Sequence, residues 1–117
     1  MSITSVSLRE ADDALREENF SQAHALYEHI LAAYAHELNN DSRSSIMAAM
    51  AKCSNQMNNF DRAVKEATSA LSNDSTCVTA LKQRATAYYR LNYHDKAEID
   101  ILDALALSRK QSFFLAF

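Results

Sequence analysis

The stretch NNFDRAVKEATSAL (Asn58 to Leu71) is written again 34 residues later as NYHDKAEIDILDAL (Asn92 to Leu105). A period of this length constrains a chain more than any single propensity, because it signals units that stack on one another instead of folding into one closed core. The stripe inside the repeat is helical. Ala63, Ala67, Ala70 and Leu71 stand at i, i+4, i+7 and i+8, as do Ala97, Ile101, Ala104 and Leu105, and further upstream Ala23, Tyr27, Ile30 and Leu31. Those offsets place small or apolar residues on one side of an α-helix. Each stripe follows a short polar segment: EENFSQ, NNFDR or LNYHDK.

A second helical pattern precedes each segment. It carries a small residue twelve positions before the stripe alanine, namely Ala11, Ala51 and Ala85. Large apolar residues flank it: Leu8 and Leu15, then Met47, Met50 and Met57, then Leu81, Tyr88 and Leu91. The unit is helix, short turn, helix, and three units are expected at about 4–36, 44–73 and 78–109. Composition agrees. The chain has Gly 0 and Pro 0, where average usage predicts roughly a dozen of the two together. Hairpin turns and phosphate loops lean on glycine, so an all-α chain with Asn, Asp and Ser turns is expected.

These positions resemble the tetratricopeptide repeat, TPR, over almost the whole chain. The 34-residue step between units two and three is that family's period, whereas the step between units one and two is 40 residues, lengthened by AAYAHELNNDSR. The family's glycine in the first helix is alanine in all three units, a small residue and a better helix former. Its proline after the second helix is missing, so helices are expected to overrun their usual stops, above all through Tyr34 to Leu38. In the next connection, DSRSS reads as a helix start capped by Asp41 or Ser42. The resemblance implies three tandem repeats stacked as a short right-handed superhelix whose first helices line a concave groove.

In TPR proteins that groove usually holds a partner peptide. The resemblance places Asp12 and Arg16 of unit one on it, with Lys52, Asn55 and Gln56 of unit two, and Lys82, Gln83, Tyr89 and Arg90 of unit three. Four cations would then face one aspartate in a protein of net charge −3, a locally basic groove suited to an acidic protein or peptide. Some co-chaperone TPR modules hold acidic tails through a two-carboxylate clamp. The matching positions here are Leu8, Asp12, Ala49, Thr79 and Gln83, which carry none of the expected residues. VTALKQRATAYYRLNYHDKA and the longer first connection still look like the repeats of J-protein co-chaperones and their relatives.

Other functions find little support. A net negative charge does not favour nucleic acid. No run approaches a membrane span, and MSITSVSLRE lacks the features of a signal peptide, which suggests a cytoplasmic or nuclear location. Without glycine there is no Walker loop or dinucleotide fingerprint. No nucleophile–base arrangement or cofactor site is expected. His24, His29, His36 and His94 read as surface histidines, not a metal site, and Cys53 and Cys77 as buried free thiols. Beyond unit three the chain reads SRKQSFFLAF, and 110–117 is expected to be an apolar capping segment or the start of a longer chain. Phe113, Phe114 and Phe117 would meet unit three or another copy. The expected function is therefore a binding scaffold, co-chaperone-like or an assembly adaptor. The alternatives are a self-associating subunit and the interaction domain of a larger protein whose activity lies elsewhere.

Overall fold

The computed structural model describes residues 3–115, with side chains from Ser7 to Gln111. Among the described residues six helices follow one another: α1 (Ile3–Arg16), α2 (Phe20–Ala33), α3 (Asn40–Gln56), α4 (Phe60–Asn73), α5 (Val78–Arg90) and α6 (His94–Leu115). No strand occurs among the described residues. The helices pair as α1–α2, α3–α4 and α5–α6, and the pairs join through α2–α3, α4–α5 and α3–α5. The result is a slab of 39 × 39 × 25 Å.

The repeat is legible in its turns. Glu18, Asn58 and Asn92 have φ of 63°, 62° and 68°, at equivalent places after α1, α3 and α5. Each turn closes in the same way. Asn19, Asn59 and Tyr93 donate their backbone N–H groups to the carbonyls of Ala14, Ser54 and Tyr88, and the positive-φ residues donate to Leu15, Asn55 and Tyr89. This is the Schellman closure, which satisfies the free carbonyls of a helix end and normally calls for glycine. Asparagine tolerates the left-handed conformation because its short polar side chain bonds locally. Glu18 has no such help.

Small side chains set the spacing of the pairs. Ala11, Ala23, Ala51 and Ala63 are 0% exposed, and Ala85 and Ala97 are 4% and 2%. The core has two parts. Between units one and two, Ile46, Met50 and Cys53 of α3 pack onto Ala11, Ala14, Tyr27 and Ile30. Between units two and three, Ala80 of α5 enters a nest of Ala48, Ala51, Ala67 and Ala70. Polar ties cross the pairs: Ser44 Oγ donates to the Ala70 carbonyl at 2.9 Å, and Arg84 grips Asp100 with Nε at 2.7 Å and Nη2 at 2.8 Å. Asp100 is 2% exposed, a burial that the two-pronged pairing makes tolerable.

Three expectations need correction or completion. First, α2 does not run through Tyr34 to Leu38 but stops at Ala33. The chain turns there because Leu38 enters the core, 8% exposed, and the Arg43 guanidinium takes up the Ala35 carbonyl. Second, the cap of α3 is Asn39, whose side chain accepts from the Ser42 N–H at 2.8 Å, so unit two begins near residue 40 and not 44. Third, the overrun occurs at the other end, where α6 continues as one helix through Leu115. The side chains of Phe113 and Phe114, and the whole of Phe117, lie outside the described residues.

The turns supply a test. Glu18→Gly is expected to raise stability by about 0.5–1 kcal/mol by removing a left-handed penalty of roughly 1–2 kcal/mol at some cost in chain entropy. Asn92→Ala is expected to lower it by about 1 kcal/mol. Urea denaturation of the three proteins measures both changes.

Candidate functional site

The first helices of the units, α1, α3 and α5, carry the predicted groove residues, but these do not form one continuous patch. Asp12, Arg16, Lys52 and Gln56 share a recess of about 440 Å³ between units one and two, beside Phe20. Lys82, Tyr89 and Arg90 line a second, of about 370 Å³, which Ile101 of α6 closes. Asn55 and Gln83 lie in neither. Asn55 is 6% exposed, and its Nδ2 donates to the Gln83 carbonyl at 2.9 Å and the Gln83 side chain at 3.0 Å. The pair is a strut between α3 and α5, and it takes up the Asn55 amide donor.

The expected basic face is likewise divided. Arg16 bridges Asp13 at 3.1 Å, and Arg90 lies over the Phe60 ring, 5.0 Å from its centroid. Tyr89 stands edge-on to His94, with ring centroids 4.9 Å apart. Lys52, Lys82 and Arg90 are exposed with no ion pair among the described residues, and of the three Arg90 alone lies over a ring.

A third recess, of about 290 Å³, opens between α1 and α3. Its origin is one side chain and one connection. Tyr27 occupies the stripe position held by Ala67 in unit two, and the connection after α2 (34–39) is two residues longer than that after α4 (74–77). The ring is 1% exposed and its hydroxyl donates to Asp12 Oδ1 at 2.5 Å. Burial, and then the Asp12 carboxylate, push the phenol well above its usual range, so it remains a donor. Leu8, Asp12 and Ala49, three of the clamp positions, do converge on this recess, together with Asp41. The recess therefore presents carboxylates where a clamp presents donors, and it disfavours a carboxylate guest.

His24 corrects the reading of the histidines as surface residues. It is 6% exposed, with Nε2 2.5 Å from Glu66 Oε2 and Nδ1 3.7 Å from Glu28. Ser54 Oγ donates to Glu66 Oε1 at 2.5 Å, and Arg62 Nε donates to Ser54 Oγ at 2.9 Å. The cluster ties α2 to α3 and α4. It is no nucleophile relay: the Ser54 hydroxyl is spent on Glu66, not on the imidazole, and Ser54 is 0% exposed. The repeat gives no signal for this burial, since the equivalent Glu98 is exposed, and periodicity does not supply the partner 42 residues away. Among the described residues, no three His, Cys, Asp or Glu side chains gather to hold a metal, and no helix is long and apolar enough to cross a membrane.

Comparison with solved structures now bears on this arrangement. The TPR domain of OM64 from Arabidopsis superposes with TM-score 0.78 at 22% identity, over 89% of this chain and 81% of that one. The second TPR domain of human RPAP3, in complex with an HSP70 peptide, gives 0.76 at 21%, over 90% and 83%. The second TPR of Spaghetti (RPAP3), bound to an HSP90 peptide, gives 0.78 at 21%, over 89% and 91%. This chain has the TPR fold. No protein-family model matches its sequence, and no curated protein does so at a significant level.

Within this TPR stack both cysteines are free, and they differ. Cys53 is 0% exposed; burial, then Glu66, push its thiol up to about 11. Cys77 is partly exposed just before α5. Maleimide titration at neutral pH is expected to label one thiol per chain in the native state, at Cys77, and both in urea. Peptide mapping identifies the site.

Proposed function

We propose that this chain is a protein-interaction module that binds an extended segment of a partner polypeptide along α1, α3 and α5. The observation that carries the reading is the placing of Lys52 and Lys82, exposed and unpaired among the described residues, in separate recesses of that face. Such cations hold acidic side chains by charge-assisted hydrogen bonds. Gln56 stands beside Lys52 as a polar donor, Thr86 stands beside Lys82 as an acceptor because its hydroxyl donates to the Lys82 carbonyl, and Tyr89 offers an apolar surface with a polar tip. The structures of RPAP3 domains with peptides SRMEEVD and SGPTIEEVD support a peptide as the class of guest.

The acidic recess makes the proposal more specific. Asp12 and Asp41 stand at the clamp end of the groove, so a terminal carboxylate is disfavoured there. Internal acidic residues, spaced to meet Lys52 and Lys82, suit the face better. A role as a co-chaperone or assembly adaptor follows as the wider reading, with recruitment and not catalysis as the activity.

Fluorescence anisotropy tests this. An internal acidic peptide with blocked ends is expected to bind more tightly than SRMEEVD. Lys52→Glu and Lys82→Glu should each weaken it roughly tenfold, equivalent to about 1.4 kcal/mol. Equal affinity of wild type and both reversals would overturn the proposal.

A further inference from the structure

The large hydrophobic side chains that stand exposed among the described residues all belong to unit three: Tyr89, Tyr93, Ile99, Ile101, Leu102 and Leu105. Two kinds of position are mixed there. Ile101 repeats Ala67 and Tyr27, which are 0% and 1% exposed because the next unit covers them, whereas Ile101 is 49% exposed. The end of the stack accounts for that residue and for Leu105, which repeats Leu71 and Leu31, both packed against the core. It does not account for Leu102, 56% exposed, which repeats Thr68 and Glu28 on the outward face, where units one and two are polar. A leucine at a solvent position, beside Leu105 at 49% and Ile99 at 59%, marks a face that is covered by something.

Charge indicates what covers it. At about 100° per residue, Glu98, Leu102, Leu105 and Arg109 fall in one band roughly 60° wide along α6. Glu98 and Arg109 are exposed, and neither forms an ion pair among the described residues. The band thus begins acidic, is apolar in the middle and ends basic. Such an order is complementary to itself when reversed. Two copies of α6 run antiparallel about a two-fold axis level with the bond between Asp103 and Ala104. Leu102 of each then meets Leu105 of the other, and Glu98 of each meets Arg109 of the other. A two-fold contact makes every favourable pair twice. The helix, 22 residues long against 14 in α2 and α4, gives the overlap room.

We propose that this face is a homodimer interface, formed by antiparallel pairing of α6 with α6 of a second copy. It lies apart from the Lys52 recess and adjoins the Lys82 side of the peptide face, where Leu105 and Ile101 line a cavity with Lys82. A single helix pair sits at the small end of stable interfaces, and association in the micromolar range is expected.

Sedimentation equilibrium on the full chain, from about 1 μM to about 500 μM, tests it. Wild type is expected to shift from monomer to dimer. Leu102→Glu with Leu105→Glu should weaken the dimer at least about 100-fold. Both sites are exposed, and unchanged circular dichroism would confirm that the fold is retained. Arg109→Glu should weaken it roughly tenfold by facing Glu98, and adding Glu98→Arg should restore it. A monomer throughout the range overturns the proposal, whether another chain or a further segment covers the face. So does a dimer indifferent to the leucine changes, or one that the second charge reversal fails to restore.

Discussion

The architecture depends on how closely helices approach where alanine lies between them. Thirteen alanines among the described residues, Ala51, Ala67 and Ala80 among them, are no more than 5% exposed. None carries enough area to drive folding strongly by itself, since hydrophobic gain scales with the apolar surface removed from water. Their contribution is geometric. They allow Ile46, Met50 and Cys53 from one unit to reach the next, and stability accumulates unit by unit from neighbour contacts. The polar ties act within that spacing. Arg84 with Asp100, and His24 with Glu66, hold helices already brought near by small residues.

The same constraint explains the concave face through its exception. Where alanine gives way to Tyr27, and the connection lengthens, α3 stands off α1 and a recess forms. Its carboxylates follow from which residues occupy the inner face of α1 and the start of α3. Where the alanine nest is intact, between units two and three, α3 and α5 lie close enough for Asn55 and Gln83 to bond directly. One packing rule with one local departure thus yields both a closed seam and an open one, and they have different chemistry.

Most of the fold was legible in the sequence because stacking imposes a period, and periods survive substitution. The helix pairs and the seam residues Ala11, Ala51 and Ala85 followed from spacing alone. The end of α2 did not, because it is decided by the burial of Leu38 and by Arg43 reaching a carbonyl eight residues back. The site was less legible. Helical faces correctly put Lys52 and Lys82 outside, but a face says nothing about a long-range partner. The burial of Asn55 is set by α5 beside it, and that of His24 by Glu66. Tyr27 was recognised as a stripe residue, whereas the space it opens depends on both units at once.

Equilibrium urea unfolding of Ala67→Leu tests the central claim most directly. Ala67 is 0% exposed at the seam between units two and three, so the larger side chain should force the units apart and cost about 1–3 kcal/mol. A variant as stable as the wild type, or more stable, would show that the helices are not held at alanine distance and would contradict the account.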